Sequence, residues 1–329
     1  MFLMTNSITI GGFKPFKCTS ATWSRSMDNY ADSAKIKLPA LCRLVKTGDQ
    51  YEIPEMSTNQ VLKSGMPVTI SCGYNGLDKV RFKGFIKQIN FSVPLEIECE
   101  GYSFLLQMDK KIMKHNYVKT TVKKILQDLV ADTSIKLSPL VPDIPVSKAE
   151  LANKSGVQVL EWLKTNMLLT VYFNFDELYV GLRYVDMKRS TTVKHKLGWN
   201  VIKDNQLTFN SDKTDTQVNI SLKARQPDGV KKEWTDTGTG NKKVLTIQGI
   251  DLDSSFLQKL RDDRQLQENQ KGYGGKITGF LEPACDLNTV SAISDPRYIE
   301  RAGNYVIESI EGSFDASGGR QHIGIGIKI

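Results

Sequence analysis

Residues 65–106 read GMPVTISCGYNGLDKVRFKGFIKQINFSVPLEIECEGYSFLL. Val68, Ile70, Cys72 and Tyr74 alternate with Thr69, Ser71 and Gly73, the period of a strand buried on one face. Asn75-Gly76 tolerates positive φ and suits a tight reversal. A second strand is expected from Arg81 to Phe91, with a bulge at Gly84, because Phe82 and Phe85 cannot share a face without an extra residue. Val93-Pro94 turns the chain. Leu95, Ile97 and Cys99 then alternate with Glu96, Glu98 and Glu100. The stretch reads as a three-stranded antiparallel meander with one apolar and one charged face.

Upstream, residues 7–10 and 17–25 are strand candidates. Ala34, Ile36 and Leu38 alternate with Lys35 and Lys37 until Pro39, which cannot donate to a ladder. Residues 40–64 give no clear signal. Downstream, the character changes after Met108. Thr120 or Thr121 can cap a helix with Val122, Ile125, Leu126, Leu129 and Val130 on one side. Pro139, Pro142 and Pro145 suggest a rigid connector. A helix after Gly156 carries Val157, Leu160, Leu163 and Met167, and residues 169–175 and 178–184 form a hairpin about Asp176-Glu177.

From Asn200 the β pattern returns. Residues 207–209 make a short strand, Val218, Ile220 and Leu222 alternate with Asn219 and Ser221, and Pro227-Asp228-Gly229 signals a turn. Residues 238–241 form a loop tip. Asp253 or Ser254 caps a helix reaching about Gln270, whose second half, RDDRQLQENQK, is expected to face solvent. Gly272-Tyr273-Gly274-Gly275 reads as the stop of that helix. Strands around Ile277, over 305–310 and over 322–329 close the chain. The expected class is α+β, mainly β. Residues 1–106 and 200–329, the latter with one helix, form two small antiparallel β-barrels, with an α+β insert at 107–199 between them.

The two β parts share an order of events. Residues 34–38 and 218–222 each follow a strand and a polar, Asp-containing loop. Residues 80–89 resemble 303–310, and each is followed by a last alternating strand, 95–101 and 321–329. That order argues for a duplicated small barrel over one large sandwich.

Composition sets bounds on function. The 329 residues are long for one core, and the hydrophobic share of 40% and charged share of 24% are those of an ordinary globular protein. No apolar run is long enough to span a membrane, and the start lacks a basic n-region, so synthesis in a cytoplasm without a signal peptide is expected. Five scattered cysteines with no CxxC disfavour a zinc site or a disulfide scaffold, and Cys72 and Cys99 fall at apolar strand positions. His115, His195 and His322 lack metal-ligand spacing, and GxSxG, HExxH and GxxxxGK[ST] are absent. No catalytic, metal or cofactor residue is therefore assigned. Glu96, Glu98 and Glu100 are one face of a strand, not paired acids. Lys110, Lys111, Lys114, His115, Lys119, Lys123 and Lys124 form the best nucleic-acid candidate, although a solvated face explains them more simply.

Three pieces carry a family resemblance: Asp32-Ser33-Ala34-Lys35-Ile36-Lys37-Leu38-Pro39; residues 80–89 with Phe82-Lys83-Gly84-Phe85-Ile86; and a closing run. That run goes from Asp295-Pro296-Arg297-Tyr298 through residues 303–310, Phe314, Gly318-Gly319-Arg320 and Gly324 to Lys328-Ile329. In this order the chain resembles baseplate hub proteins of phage tails and contractile injection machines, the late control and tail hub family, related to the hub portion of type VI secretion spike proteins. The resemblance implies a structural, non-enzymatic homotrimer in a virion baseplate or injection particle. Its two barrels would be of tail-tube type, so three copies offer six to a sixfold tail tube protein and threefold symmetry to a spike. The chain ends just after the second barrel, so a separate spike protein is expected. Other baseplate proteins, and DNA or protein cargo in a central channel, are the further partners implied.

The charged face of the meander bears on that channel. Arg81, Lys83, Lys87, Glu96, Glu98 and Glu100 lie on or near it and are the channel-lining candidates; an ordinary solvated outer face is the other reading. Two other functions compete: a cell-wall-degrading tail enzyme, for which no constellation is visible, and a β-rich carbohydrate-binding or adhesion module, which calls for exposed aromatics on loops.

Overall fold

The computed structural model describes residues 3–39, 44, 61–185, 189, 191–210, 218–225, 231–234, 241–248, 255–268, 270 and 272–329. The expected meander is β4 (Pro67–Tyr74), β5 (Leu77–Asn90) and β6 (Leu95–Glu100), paired antiparallel in chain order. Asn75 and Gly76 take φ of 55° and 80° at the reversal. The bulges flank Gly84: Arg81 is skipped in the β4–β5 register and Lys87 in the β5–β6 register. Phe82 and Phe85 therefore face opposite sides. Phe82 enters the core, whereas Phe85 packs on Tyr102 and Phe104 with ring centres 5.3 and 5.6 Å away. Gly84 supplies space instead. A Cβ there would lie 2.7 Å from the Phe82 ring and collide with the Glu100 carbonyl.

With β1 (Met4–Ile10), β2 (Ser20–Ser26) and β3 (Asn29–Leu38), the first half has the spatial order β1-β4-β5-β6-β3-β2. The insert and the small sheet supply β7–β11 and β14–β16, given below. The second half comprises β12 (Thr192–Lys196), β13 (Val201–Asn210), β17 (Gly272–Gly279), β18 (Val290–Ser294), β19 (Gly303–Asp315) and β20 (Gly318–Lys328). Its order is β12-β18-β19-β20-β17-β13. Counted in chain order within each half, both read 1-4-5-6-3-2. Only the first pair differs in sense, antiparallel for β1–β4 and parallel for β12–β18.

The register repeats residue by residue. Ile86 faces Cys99 and Ile307 faces Ile325; the next residue, Lys87 or Glu308, is skipped; then Gln88 faces Glu98 and Ser309 faces Gly324. Lys35, Ile36 and Lys37 face Glu98, Ile97 and Glu96 just as Lys276, Ile277 and Thr278 face Gly324, Ile323 and His322. The expected match of residues 80–89 and 95–101 to 303–310 and 321–329 is thus β5–β6 against β19–β20. The counterpart of 34–38 is β17, not residues 218–222. Those lie in β14 (Val218–Arg225), in a separate three-stranded sheet with β15 (Lys231–Trp234) and β16 (Asn241–Gln248). The tight turn joining β2 to β3 is replaced, between β13 and β17, by a long insertion holding this small sheet and a helix.

The halves form one continuous sheet. The first part of β19 pairs with β18, and its second part pairs with β2, from Ser309 opposite Ser26 to Phe314 opposite Ala21. One core lies under the first half and draws Leu281 and Phe314 from the second; the other joins the insert to the second half.

The insert contains β7 (Tyr117–Thr121), α1 (Val122–Val130), β8 (Lys136–Leu137), β9 (Pro145–Ala149), α2 (Gly156–Asn166), β10 (Thr170–Asn174) and β11 (Glu177–Gly181). Thr121 caps α1, its hydroxyl accepting from the Lys124 N–H at 3.3 Å, and Ser155 with Gln158 forms a capping box on α2. The proline-rich segment, expected to be a rigid connector, is packed into the insert. Val141 and Ile144 are buried, and β9 pairs with β7. Thr192–Lys196, expected within the insert, runs beside β18 in the large sheet.

Two expectations about the second half change. The polar end of α3 (Phe256–Glu268) faces the protein: Asp263 is buried and accepts from the N–H groups of Arg183, Tyr184 and Val185 at 3.2, 2.6 and 3.0 Å. A carboxylate so satisfied can be buried. Residues 272–275 belong to β17; at Gly275 (φ 108°) a Cβ would strike the Gln206 carbonyl. The turn signal at 227–229, the loop tip at 238–240 and the caps at 253 and 254 lie outside the described residues. No helix among the described residues is long and apolar enough to cross a membrane.

Candidate functional site

Alternation along β2, β3, β6, β19 and β20 gives the sheet a polar side opposite the first core. A trough of about 620 Å³ runs along it across the β2–β19 seam, lined by Ser24, Ser33, Lys35, Glu98, Glu311 and His322 among others. Its charges are paired across strands. Lys35 Nζ lies 2.9 Å from Glu96 and 3.5 Å from Glu98, Lys37 lies 3.8 Å from Glu96, and Lys276 lies 2.7 Å from Glu311. The bond to Glu96 raises the pKa of Lys35, and the same bond lowers that of Glu96. Opposite signs at such spacing cancel beyond a Debye length of about 10 Å.

The six charged candidates divide. Lys87, Glu96 and Glu98 keep contact with water, Lys87 reaching Glu100 at 3.0 Å. Lys83 is turned to the insert, 3.2 Å from Asp176 in the β10–β11 turn. Arg81 is buried: the bulge lets it donate to the carbonyls of Cys72 and Leu281 at 3.2 and 2.8 Å and to Glu282 at 3.2 Å. Glu100 is buried too, because residues 102–106 fold back over it and it accepts from Ser103 at 2.9 Å and from Gln107. The expectation of a single exposed charged face is therefore corrected for Arg81 and Glu100. Of the basic run, Lys110 pairs with Asp109, Lys111 bonds the Ala131 carbonyl and Lys124 pairs with Asp128.

Buried charges join the parts. Arg25 Nε lies 3.8 Å from Asp32; its guanidinium also donates to Asn174 and Asp286 and sits 3.8 Å from the centre of the Phe175 ring. Burial pushes the Asp32 carboxyl up to about 7, against the pull of Arg25. Arg183 bonds Glu308 through Nε at 3.3 Å and Nη2 at 2.8 Å and also holds Asp28. Burial works against its charge, yet these partners raise its pKa. Sequence reasoning missed this junction, although a signal existed: Arg25 falls in phase with Ala21 and Trp23, and Asp32 with Ala34 and Ile36.

One cluster has the composition of a nucleophile with its base. His195 Nδ1 lies 2.7 Å from Ser291 Oγ, and Nε2 lies 3.7 Å from Cys285 Sγ. Its electrostatics run the wrong way for activation. Burial pushes the Cys285 thiol up to about 12 and the His195 imidazole down to about 4, which opposes the thiolate–imidazolium state that nucleophilic cysteines need. His115 and His322 stay apart from it, and His322 bonds Thr278. No group of three or more potential metal ligands occurs among the described residues.

The fold of this chain is shared with solved phage tail proteins. No protein-family model matches the chain, and no curated protein matches it. Solved structures do. The 43 kDa tail protein of prophage MuSo2 from Shewanella oneidensis matches with a TM-score of 0.63 at 16% identity, over 98% of both chains. The tail protein from Neisseria meningitidis MC58 gives 0.65 at 13% identity, over 98% of this chain and 96% of the other. The E. coli c3393 protein, a type VI secretion component described as similar to bacteriophage T4 tail proteins, gives 0.57 at 10% identity, over 98% and 76%.

Proposed function

We propose that the chain is a structural baseplate hub of a phage tail or contractile injection machine. Three copies form a ring that offers six sheet units to a sixfold tail tube and threefold symmetry to a central spike. The observation that carries this reading is the duplicated six-strand unit, matched in register and joined into one sheet. A symmetry adaptor needs two near-identical units per chain. The likeness in fold to tail proteins, over almost the whole of each chain, supports it.

In this reading Lys87, Glu96 and Glu98 face the channel, and Arg81, Lys83 and Glu100 hold the chain together. Paired charges keep the wall wet without capturing a passing polyanion, whether DNA or acidic protein. The hub carries out no catalysis and uses no cofactor; the neutral, buried Cys285–His195 pair supports that. Its place is the tail baseplate or the assembled particle. Native mass measurement tests the ring, with three chain masses expected; a monomer at every concentration, with or without the spike protein, overturns it. Peptidoglycan breakdown by the purified protein, lost on replacing one carboxylate, would overturn the non-enzymatic role.

A further inference from the structure

A second cavity, of about 540 Å³, takes its walls from both halves of the chain. Met4 and Tyr74, partners across the β1–β4 pair, come from the first half. Trp199, Phe280, Glu282 and Arg320 come from the second. The volume falls in the range of small-molecule sites. The hub role makes no use of it.

The walls are fixed before any ligand arrives. Trp199 stands in the tight turn between β12 and β13. There Asn200 accepts from the Lys196 N–H at 2.7 Å and donates to the Lys194 carbonyl at 2.9 Å. The turn is thus clamped, yet the Trp199 side chain is 78% exposed. The strip from Phe280 to Glu282 is clamped too. Buried Arg81 holds the Leu281 carbonyl and Glu282, and the Leu281 N–H donates to the Tyr74 hydroxyl at 3.4 Å. Arg320 lies over the Phe280 ring, 5.3 Å from its centre. A rigid, exposed indole is a flat apolar platform that costs little entropy to cover.

The polar groups narrow the occupant. Glu282 accepts from Arg81 through Oε1 and from the Ala284 N–H through Oε2, which leaves a lone pair on each oxygen for a ligand. Arg320 donates to the Gly319 carbonyl at 2.8 Å and forms no ion pair among the described residues. Its remaining N–H groups are open donors. An anion in this cavity meets Glu282, and a cation meets Arg320. A proline-rich peptide has no N–H to give Glu282. A neutral ligand that both donates and accepts satisfies the two together, and hydroxyl groups do both. A sugar ring adds an apolar C–H face, which lies flat on the electron-rich face of an indole.

We infer that this cavity binds a neutral hexopyranose glycan, with one ring stacked on Trp199 and its hydroxyls bonded to Glu282 and Arg320. The exposed loop aromatic that a carbohydrate-binding module calls for is then Trp199, carried by a structural hub. The cavity lies within one copy, so its occupation does not depend on the ring.

Ligand-observed NMR titration of the full chain tests it, with cellohexaose, chitohexaose and mannohexaose as probes. At least one of the three should bind saturably. Trp199→Ala should abolish that binding and keep the native urea midpoint, since the side chain is exposed. Trp199→Phe, which retains a platform, should still bind. Arg320→Ala, which leaves the indole in place, should weaken binding about tenfold through the loss of a charge-assisted hydrogen bond. Decaproline should not compete. No binding of any of the three glycans overturns the site. So does binding that survives Trp199→Ala, an affinity unchanged in Arg320→Ala, or displacement of the glycan by decaproline.

Discussion

Asp32 sits 3.8 Å from the Arg25 guanidinium in a site shut off from water, with its carboxyl pushed up to about 7 by burial. An unfolded Asp releases its proton near pH 4. Between these values the folded state holds a proton that the unfolded state has lost. The Asp32 contribution is thus complete below about pH 4 and is lost as pH rises through 7. His195 has the opposite sign. Burial holds it down to about 4, so the unfolded chain takes up the proton first as pH falls below about 6.5, and stability drops from there toward pH 4. The two slopes oppose each other in the native protein. In Asp32→Asn the His195 slope stands alone, and the variant gains acid sensitivity. The difference in unfolding free energy between the two proteins should change by about 1.4 kcal/mol per pH unit between pH 4 and 7, read from urea midpoints. Asp263→Ala, which leaves three N–H groups without their acceptor, should cost about 3 kcal/mol by the same measurement. Cys18, Cys72, Cys99 and Cys285 should resist iodoacetamide at pH 8 until the chain unfolds, by peptide mass mapping, since burial raises all four thiols.

At the level of elements, Gly312 faces Trp23 across the seam, and a Cβ there would overlap the indole ring. Gly312→Ala should therefore cost about 2 kcal/mol, and Trp23→Leu in the same chain should recover part of it; a denaturation cycle of the two variants reads the coupling. Such close packing also separates what was legible in the sequence from what was not. The β4–β5–β6 meander was readable because apolar and polar residues alternate without a break and Asn75-Gly76 marks the turn. β17 was readable only around Ile277, because Gly272, Gly274 and Gly275 before it supply no side chains and hence no period. β14 imitated β3 in its alternation, but alternation does not say which sheet a strand joins. The polar half of α3 looked solvated since pattern reading assigns Asp263 to water, whereas its partners are backbone N–H groups contributed by distant residues. The trough was legible as charge alternation, but the removal of Arg81 and Glu100 from it depends on a bulge and on a covering turn that the pattern does not encode.

Across the whole molecule, the proposed channel role of the trough predicts how its charge pairs govern contact with a polyanion. Glu96→Lys with Glu98→Lys removes the negative members of the Lys35 and Lys37 pairs. Exposed pairs contribute about 0–1 kcal/mol each, so the variant should fold and form the same native mass. Its face becomes net basic although Glu311 remains on it, and double-stranded DNA should be retained at low salt and released as salt rises. A gel-shift titration checks this, and no shift at low salt would show that the Lys35 and Lys37 pairs are not what keeps the face from capturing a polyanion. Glu100 must stay in such a variant, because it holds Ser103 and Gln107 in the interior.

The β2–β19 pairing also governs when this protein can fold. Ser26 must wait for Ser309, and Trp23 for Gly312, so the ribosome must pass β19 before β2 gains that neighbour. A nascent first half would carry an open β2 edge and an uncovered Trp23 until β19 emerges. Contacts between the two ends of a chain close slowly, and an exposed edge is a hazard while it lasts. On refolding, the fluorescence of Trp23, isolated by comparison with Trp23→Phe, should reach its native value only in the last phase. A native Trp23 signal in a fragment lacking β19 and β20 would show that the first half closes unaided.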